Sequence, residues 1–195
     1  MYDLGPFLAL SVLALVAAWV SGAFARDPWF RNLLVAGVLL RIVGSTLRLE
    51  VIDELYRGVS DAKGYFRYGS LYAQDIARLD FSFFGASSLD RWWGTQFVRS
   101  IAGFVVFFTG DSIRAAFLAF SLLAFTGIIL CVLAFRNAFG AEQQRTYAYW
   151  VVLWPALWFW PSSIGKDALI LLALGLIVYG YVGDGARPRW APLVL

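Results

Sequence analysis

The sequence predicts an all-α fold: a polytopic transmembrane helical bundle with a long outer-face loop carrying juxtamembrane helices. Three observations lead there. Hydrophobic residues make up 61% of the chain and charged residues 15%, against about 25% charged in a soluble domain. Water therefore cannot be the solvent for most of the surface. The apolar residues gather in long segments, whereas the strands of a membrane barrel alternate in short runs. The 17 Phe and 9 Trp likewise suit helices that pack in, and border on, lipid.

A spanning helix needs about 20 mostly apolar residues. Residues 5–24 supply the first without a single charge. The Met-Tyr-Asp start lacks the basic leader of a signal peptide, so this segment reads as a retained helix. The second span covers about 32–47, with Arg41 near its far end. A mixed-charge segment follows, and then apolar stretches at 97–109, 113–135, 148–160 and 168–182. From Trp190 the chain turns apolar again, which suggests truncation as a further helix begins. No internal repeat or separate soluble domain is visible, so 1–195 reads as a single membrane domain.

Basic residues decide the status of 97–109. The short loops hold Arg26 and Arg31, then Arg136 and Arg145, then Arg187 and Arg189. All three fall on one face, the cytoplasmic one, only if 97–109 does not cross. That segment is then an amphipathic or re-entrant helix at the outer interface. Five spans result, with two outer connections: the loop 48–112 and the short turn Pro-Ser-Ser-Ile-Gly-Lys-Asp, 161–167.

Several classes are excluded. The chain has no histidine, so a His-ligated metal or a His base is out. The lone Cys131 gives no disulfide framework. A net charge of +3 is too small and scattered for a nucleic-acid partner, and no cofactor is indicated.

In the outer loop, Ser60 is a good N-cap for a helix running to about Leu79. Asp61, Tyr65, Tyr68 and Tyr72 then share a face. An acid at a helix start above a membrane exit suits a carboxylate that stays ionised and accepts a proton. It equally suits a simple surface cap with an interfacial tyrosine belt. Arg41 lies inside a span, where a charge faces a cavity, a partner or an anion, or else snorkels to the headgroups. Arg48, seven residues on, sits on roughly the same face near the outer boundary. Arg91, Trp92, Trp93 and Arg99 have the composition of a phosphate grip and of a plain interfacial anchor alike. Lys166–Asp167 stands where the chain re-enters the membrane after Pro161 and a capping Ser-Ser-Ile-Gly. Such a pair can bind phosphate or merely start a helix.

The layout resembles the N-terminal portion of the GT-C superfamily, polytopic membrane glycosyltransferases that use polyprenyl-phosphate-linked sugars. A span ending in Arg ("LLRIVGSTLRLE") precedes an outer loop with Asp and Tyr ("SDAKGYFRYGSLYA"). A juxtamembrane apolar helix, a Gly-Asp-Ser turn ("FFTGDSIRAAF") and a Pro-led outer turn with an acid follow. The resemblance covers roughly 31–182 and implies Asp61 as the general base for the acceptor. It implies Lys63, Arg67 or Arg91 as holders of the lipid phosphate, with Lys166–Asp167 at the second outer turn; Tyr65, as a face for the sugar, and Arg41, as a charge within a span, complete the candidate substrate-binding residues. The first span is extra to that layout, and family members usually carry more spans and often a C-terminal soluble domain.

The function expected is transfer of a sugar from a polyprenyl-phosphate donor to an acceptor on the outer face. The protein would sit as a multi-pass protein in a bacterial inner membrane, with the lipid-linked sugar, membrane lipids and a membrane-protein partner as its company. Rival readings are a non-catalytic subunit or assembly factor, and a transporter of a lipid-linked sugar. A transporter is expected to line its midplane with polar groups, whereas here they gather at one face.

Overall fold

The computed structural model describes residues 3–25, 27–84 and 94–183. Among these the chain is all-helical, with no strand. The uninterrupted Leu, Ala and Val of Leu4–Phe24 form α1. Pro28 opens α2, Pro28–Glu54, after an extended Asp27, the place where its missing N–H costs nothing. Ser60 caps α3, Asp61–Ala77, accepting the Lys63 amide at 3.3 Å. A 3₁₀ turn, Ser82–Phe84, follows. Next come α4, Thr95–Thr109, and α5, Ile113–Phe139, the latter capped by Ser112. Gly140, in a left-handed conformation (φ 92°), separates α5 from α6, Ala141–Leu153. The last two helices are α7, Pro155–Phe159, and α8, Lys166–Val182.

α1 and α5 are long and apolar enough to cross a membrane, with mean hydropathies of 2.2 and 2.6. The outward side of α1 leaves Val12, Leu13 and Val16 more than half exposed, as do Ile170 and Ile177 on α8. Large contiguous apolar faces are rare on proteins whose solvent is water alone.

Side-chain contacts fix which helix ends lie together. Arg114, at the start of α5, reaches Glu50 near the end of α2 (3.4 Å) and Asp3 before α1 (3.5 Å). Ser112 donates to the Asp3 carbonyl at 2.8 Å. The chain thus leaves α2 and enters α5 at one end of the bundle, and α3 and α4 do not carry it across. At the other end Asn137 donates to the Gly183 carbonyl (2.8 Å) and Phe135 stacks on Tyr147 (4.2 Å between centroids). Arg31 lies over Trp19 there, at 4.2 Å.

α4 buries Val98, Ala102, Gly103 and Val106 against α3 and exposes Phe107 and Phe108. The stretch 148–160, read as one span, is not one helix. It begins earlier, at Ala141, and breaks at Trp154, whose ψ of 121° is extended. Pro155 forces this, because its ring disfavours the helical region for the residue before it. The span read over 32–47 lies within a much longer α2, and that read over 113–135 continues to Phe139. Arg26, Arg187 and Arg189 lie outside the described residues.

Candidate functional site

At the end of the bundle that holds Asp3, Glu50 and Arg114, three elements line a half-open cavity of about 320 Å³, with Asp61, Lys166 and Asp167 exposed at its rim. α2 contributes Arg48 and Ile52, and the start of α3 contributes Ser60, Asp61, Ala62 and Tyr65. The turn into α8 contributes residues 163–167.

Each wall has a local cause. The Ser60 cap starts α3 at Asp61, and the side chain of Tyr65, one turn later, lies on the same face. Tyr65 is buried in the core cluster with Ile52, Ala62 and Ile164, so the carboxylate sits above an apolar floor. The turn before α8 is pinned twice. Ile164 is 1% exposed and inserts beside Phe117 and Phe120. Ser162 shares a 2.8 Å hydrogen bond with Ser121 of α5 and donates to the Trp158 carbonyl. α2 comes close enough for this because position 44 is glycine: a Cβ there would lie 2.7 Å from the Ser162 hydroxyl.

Gly165 precedes α8 with no side-chain cap. The first-turn amides of α8 therefore keep their hydrogen-bonding capacity, and the helix dipole is positive at this point. Arg48 stacks on Trp160, its guanidinium carbon 4.7 Å from the ring centroid, and lies 5.6 Å from Phe159. Among the described residues its Nε and Nη1 are buried without a hydrogen-bond acceptor. Among the described residues, none of Arg48, Asp61, Lys166 and Asp167 is in an ion pair. Two cations, two carboxylates and the N-termini of α3 and α8 share the cavity. Such a set can hold an anionic group on the cationic side and take up a proton on the acidic one.

Of the residues singled out from sequence, Asp61, Tyr65, Lys166 and Asp167 line this cavity. Lys63 does not, and is ion-paired with Asp53 of α2. Arg67 is exposed and is no part of the lining. Arg41 is wholly buried deeper in the bundle, its guanidinium carbon 4.8 Å from the Phe125 ring centroid. Arg91 lies outside the described residues. The tyrosine face divides: Tyr65 turns to the cavity, while Tyr72 stacks on Phe83 at 4.6 Å and takes a 3.0 Å hydrogen bond from Gln96. Arg48, which sequence left as a boundary cation, belongs to the cavity, as do Ser60 and Ser163. The available signal was its spacing of seven from Arg41.

Lys166 also borders a second hollow of about 270 Å³, between the start of α4 and α8. Its other lining residues are Gly94, Phe97, Val98, Leu169, Ile170 and Ala173. A polar chamber and an apolar groove thus meet at one lysine. No protein-family model, curated protein or solved structure matches the chain.

Proposed function

We propose that this chain is a GT-C-type membrane glycosyltransferase that moves a sugar from a polyprenyl-phosphate donor to an acceptor hydroxyl. The observation that carries the reading is the meeting of Asp61 with Arg48 and Lys166 in one cavity, beside an apolar groove. Such a pair of compartments suits an amphiphile with an anionic head. The phosphate lies against Arg48, Lys166 and the first-turn amides of α8, and the prenyl chain follows Phe97, Leu169 and Ile170. Asp61 takes the proton of the acceptor hydroxyl as its oxygen bonds to the anomeric carbon. The bond from that carbon to the phosphate oxygen breaks, and its electron pair leaves with the polyprenyl phosphate. Arg48 and Lys166 stabilise the charge that develops there.

The protein is multi-pass in this reading, in a bacterial inner membrane with the cavity on the outer face. Arg31, Arg136 and Arg145 support that orientation, since they lie toward the opposite end of the bundle, where the cytoplasm is expected. The test is Asp61→Asn in proteoliposomes supplied with polyprenyl-phosphate-linked sugars. Transfer should fall by about 10²–10⁴-fold, with folded yield unchanged, because Asn matches Asp in size and Ser60, not residue 61, caps α3. Turnover at the parental rate would dismiss Asp61 as the base.

A further inference from the structure

Among the described residues Arg41 is the one charged side chain that is buried, and it has no part in the cavity. It is 0% exposed, and among the described residues Nε, Nη1 and Nη2 all lack a hydrogen-bond acceptor. A guanidinium does not shed its proton to escape burial, and a charge in a membrane-spanning segment normally marks a partner. Among the described residues no ion pair reaches it.

Its neighbours indicate what it faces. A Cβ on Gly37 would lie 2.4 Å from the Phe125 ring and 3.1 Å from Val152 of α6. A Cβ on Gly44 would lie 3.0 Å from the Trp158 carbonyl of α7. Arg41 is four residues from the first glycine and three from the second, on the same face of α2. Both α2 and the α6–α7 pair run toward the cavity end, so Arg41 stands level with the Trp154–Pro155 break. Long side chains on a helix lean toward its N-terminus, which carries the guanidinium down toward the end of α6. There Pro155 has no N–H to give the Val151 carbonyl. Of the terminal α6 carbonyls, that of Leu153 is taken by the Trp158 indole at 3.2 Å. The end of α6 is also the negative pole of its dipole.

We propose that Arg41 is the built-in counter-charge of this break. Its guanidinium donates across one water to the Val151 carbonyl, which Pro155 leaves without an amide donor at the end of α6. It thereby holds α7 and the Ser162–Lys166 turn where Arg48 and Asp61 meet them. Non-helical backbone at membrane depth persists only where such groups are satisfied within the protein.

The sign of one substitution separates this from an idle buried charge. Replacing an idle cation by an apolar side chain of similar length leaves stability unchanged or raises it. Removing the partner of a stranded carbonyl lowers it. Arg41→Met in the full chain, melted in detergent micelles by intrinsic tryptophan fluorescence, should lower Tm by about 5 °C or more. In a Pro155→Ala background α6 can run into α7 with an N–H for Val151, and the same Arg41→Met change should cost less than half as much. A Tm that holds or rises in Arg41→Met, or an equal loss in both backgrounds, overturns the proposal. Should Arg41→Met yield no folded protein, Arg41→Lys goes through the same cycle: relief by Pro155→Ala upholds the coupling, and its absence refutes it. No sugar donor enters the measurement, so it stands or falls apart from the glycosyl-transfer reading.

Discussion

Outside the cavity lining, the backbones of α5 and α8 approach closely where Gly127 meets Gly175. An alanine Cβ at position 175 would fall 2.2 Å from the Gly127 carbonyl oxygen and 2.5 Å from its Cα. Carbon contacts settle at about 3.5–4.0 Å, so the two helices must part by about 1 Å. Overfilling a packed site costs about 1–3 kcal/mol, and the obstacle here is backbone, which cannot rotate away. The upper end applies, less about 1 kcal/mol that alanine gains over glycine as a helix former. Gly175→Ala should therefore destabilise by about 2 kcal/mol, or about 4–8 °C in Tm for a chain of this size. Gly64→Ala is the internal control, since among the described residues nothing lies within 4 Å of its added Cβ. It should stabilise by up to ~1 kcal/mol. Both variants are melted in the same detergent. If Gly175→Ala matches its control in sign, helix propensity outweighs packing and the tight α5–α8 crossing does not exist.

Two further outcomes follow from the site and its surroundings. Arg48→Met should weaken binding of polyprenyl phosphate in nanodiscs at least about tenfold, the scale of one charge-assisted contact, whereas Arg67→Ala, outside the cavity, should stay within about twofold. Leu79→Gly should raise stability by about 1 kcal/mol, read by thermal melting. Leu79 sits at φ 60° just beyond α3, in a helix-ending turn closed by the Asp80 amide on the Asp75 carbonyl at 2.9 Å, a place that favours glycine.

What was legible in the sequence was local. Ser60 followed by a run free of proline starts α3, because a cap needs only its own next turn. The pairing of Asp61 with Tyr65 on one face follows from helical spacing alone. The break in α6–α7 was also written locally, in Trp154–Pro155, yet the long aromatic run around it masked the signal and Pro161 took the credit for the stop. Which cation would face the cavity was not legible. Lys63 is three residues from Ser60 and close to Asp61 in sequence, but its side chain meets Asp53 on α2. Arg48 reaches the cavity because α2 packs against the Trp160–Ile164 turn, a contact between segments over a hundred residues apart. The glycines at 44, 127 and 175 are likewise ordinary in sequence, and their purpose appears only where a second backbone comes within contact distance.

The cavity's charges do not simply cancel. Asp61 and Asp167 each stand in the first turn of their own helix, where the positive pole of the dipole already favours a carboxylate. Each acid is thus partly compensated by the backbone on which it sits. Arg48 and Lys166 have no such compensation. Trp160 gives Arg48 an aromatic face, while among the described residues two of its nitrogens remain without an acceptor. Lys166 adds a second cation at the N-terminal end of α8. The two cations are the groups of the cavity that call for an anionic partner. Adjacent Lys166 and Asp167 therefore answer different needs: the acid starts the helix, and the lysine is left free for whatever anion reaches the mouth of the apolar groove.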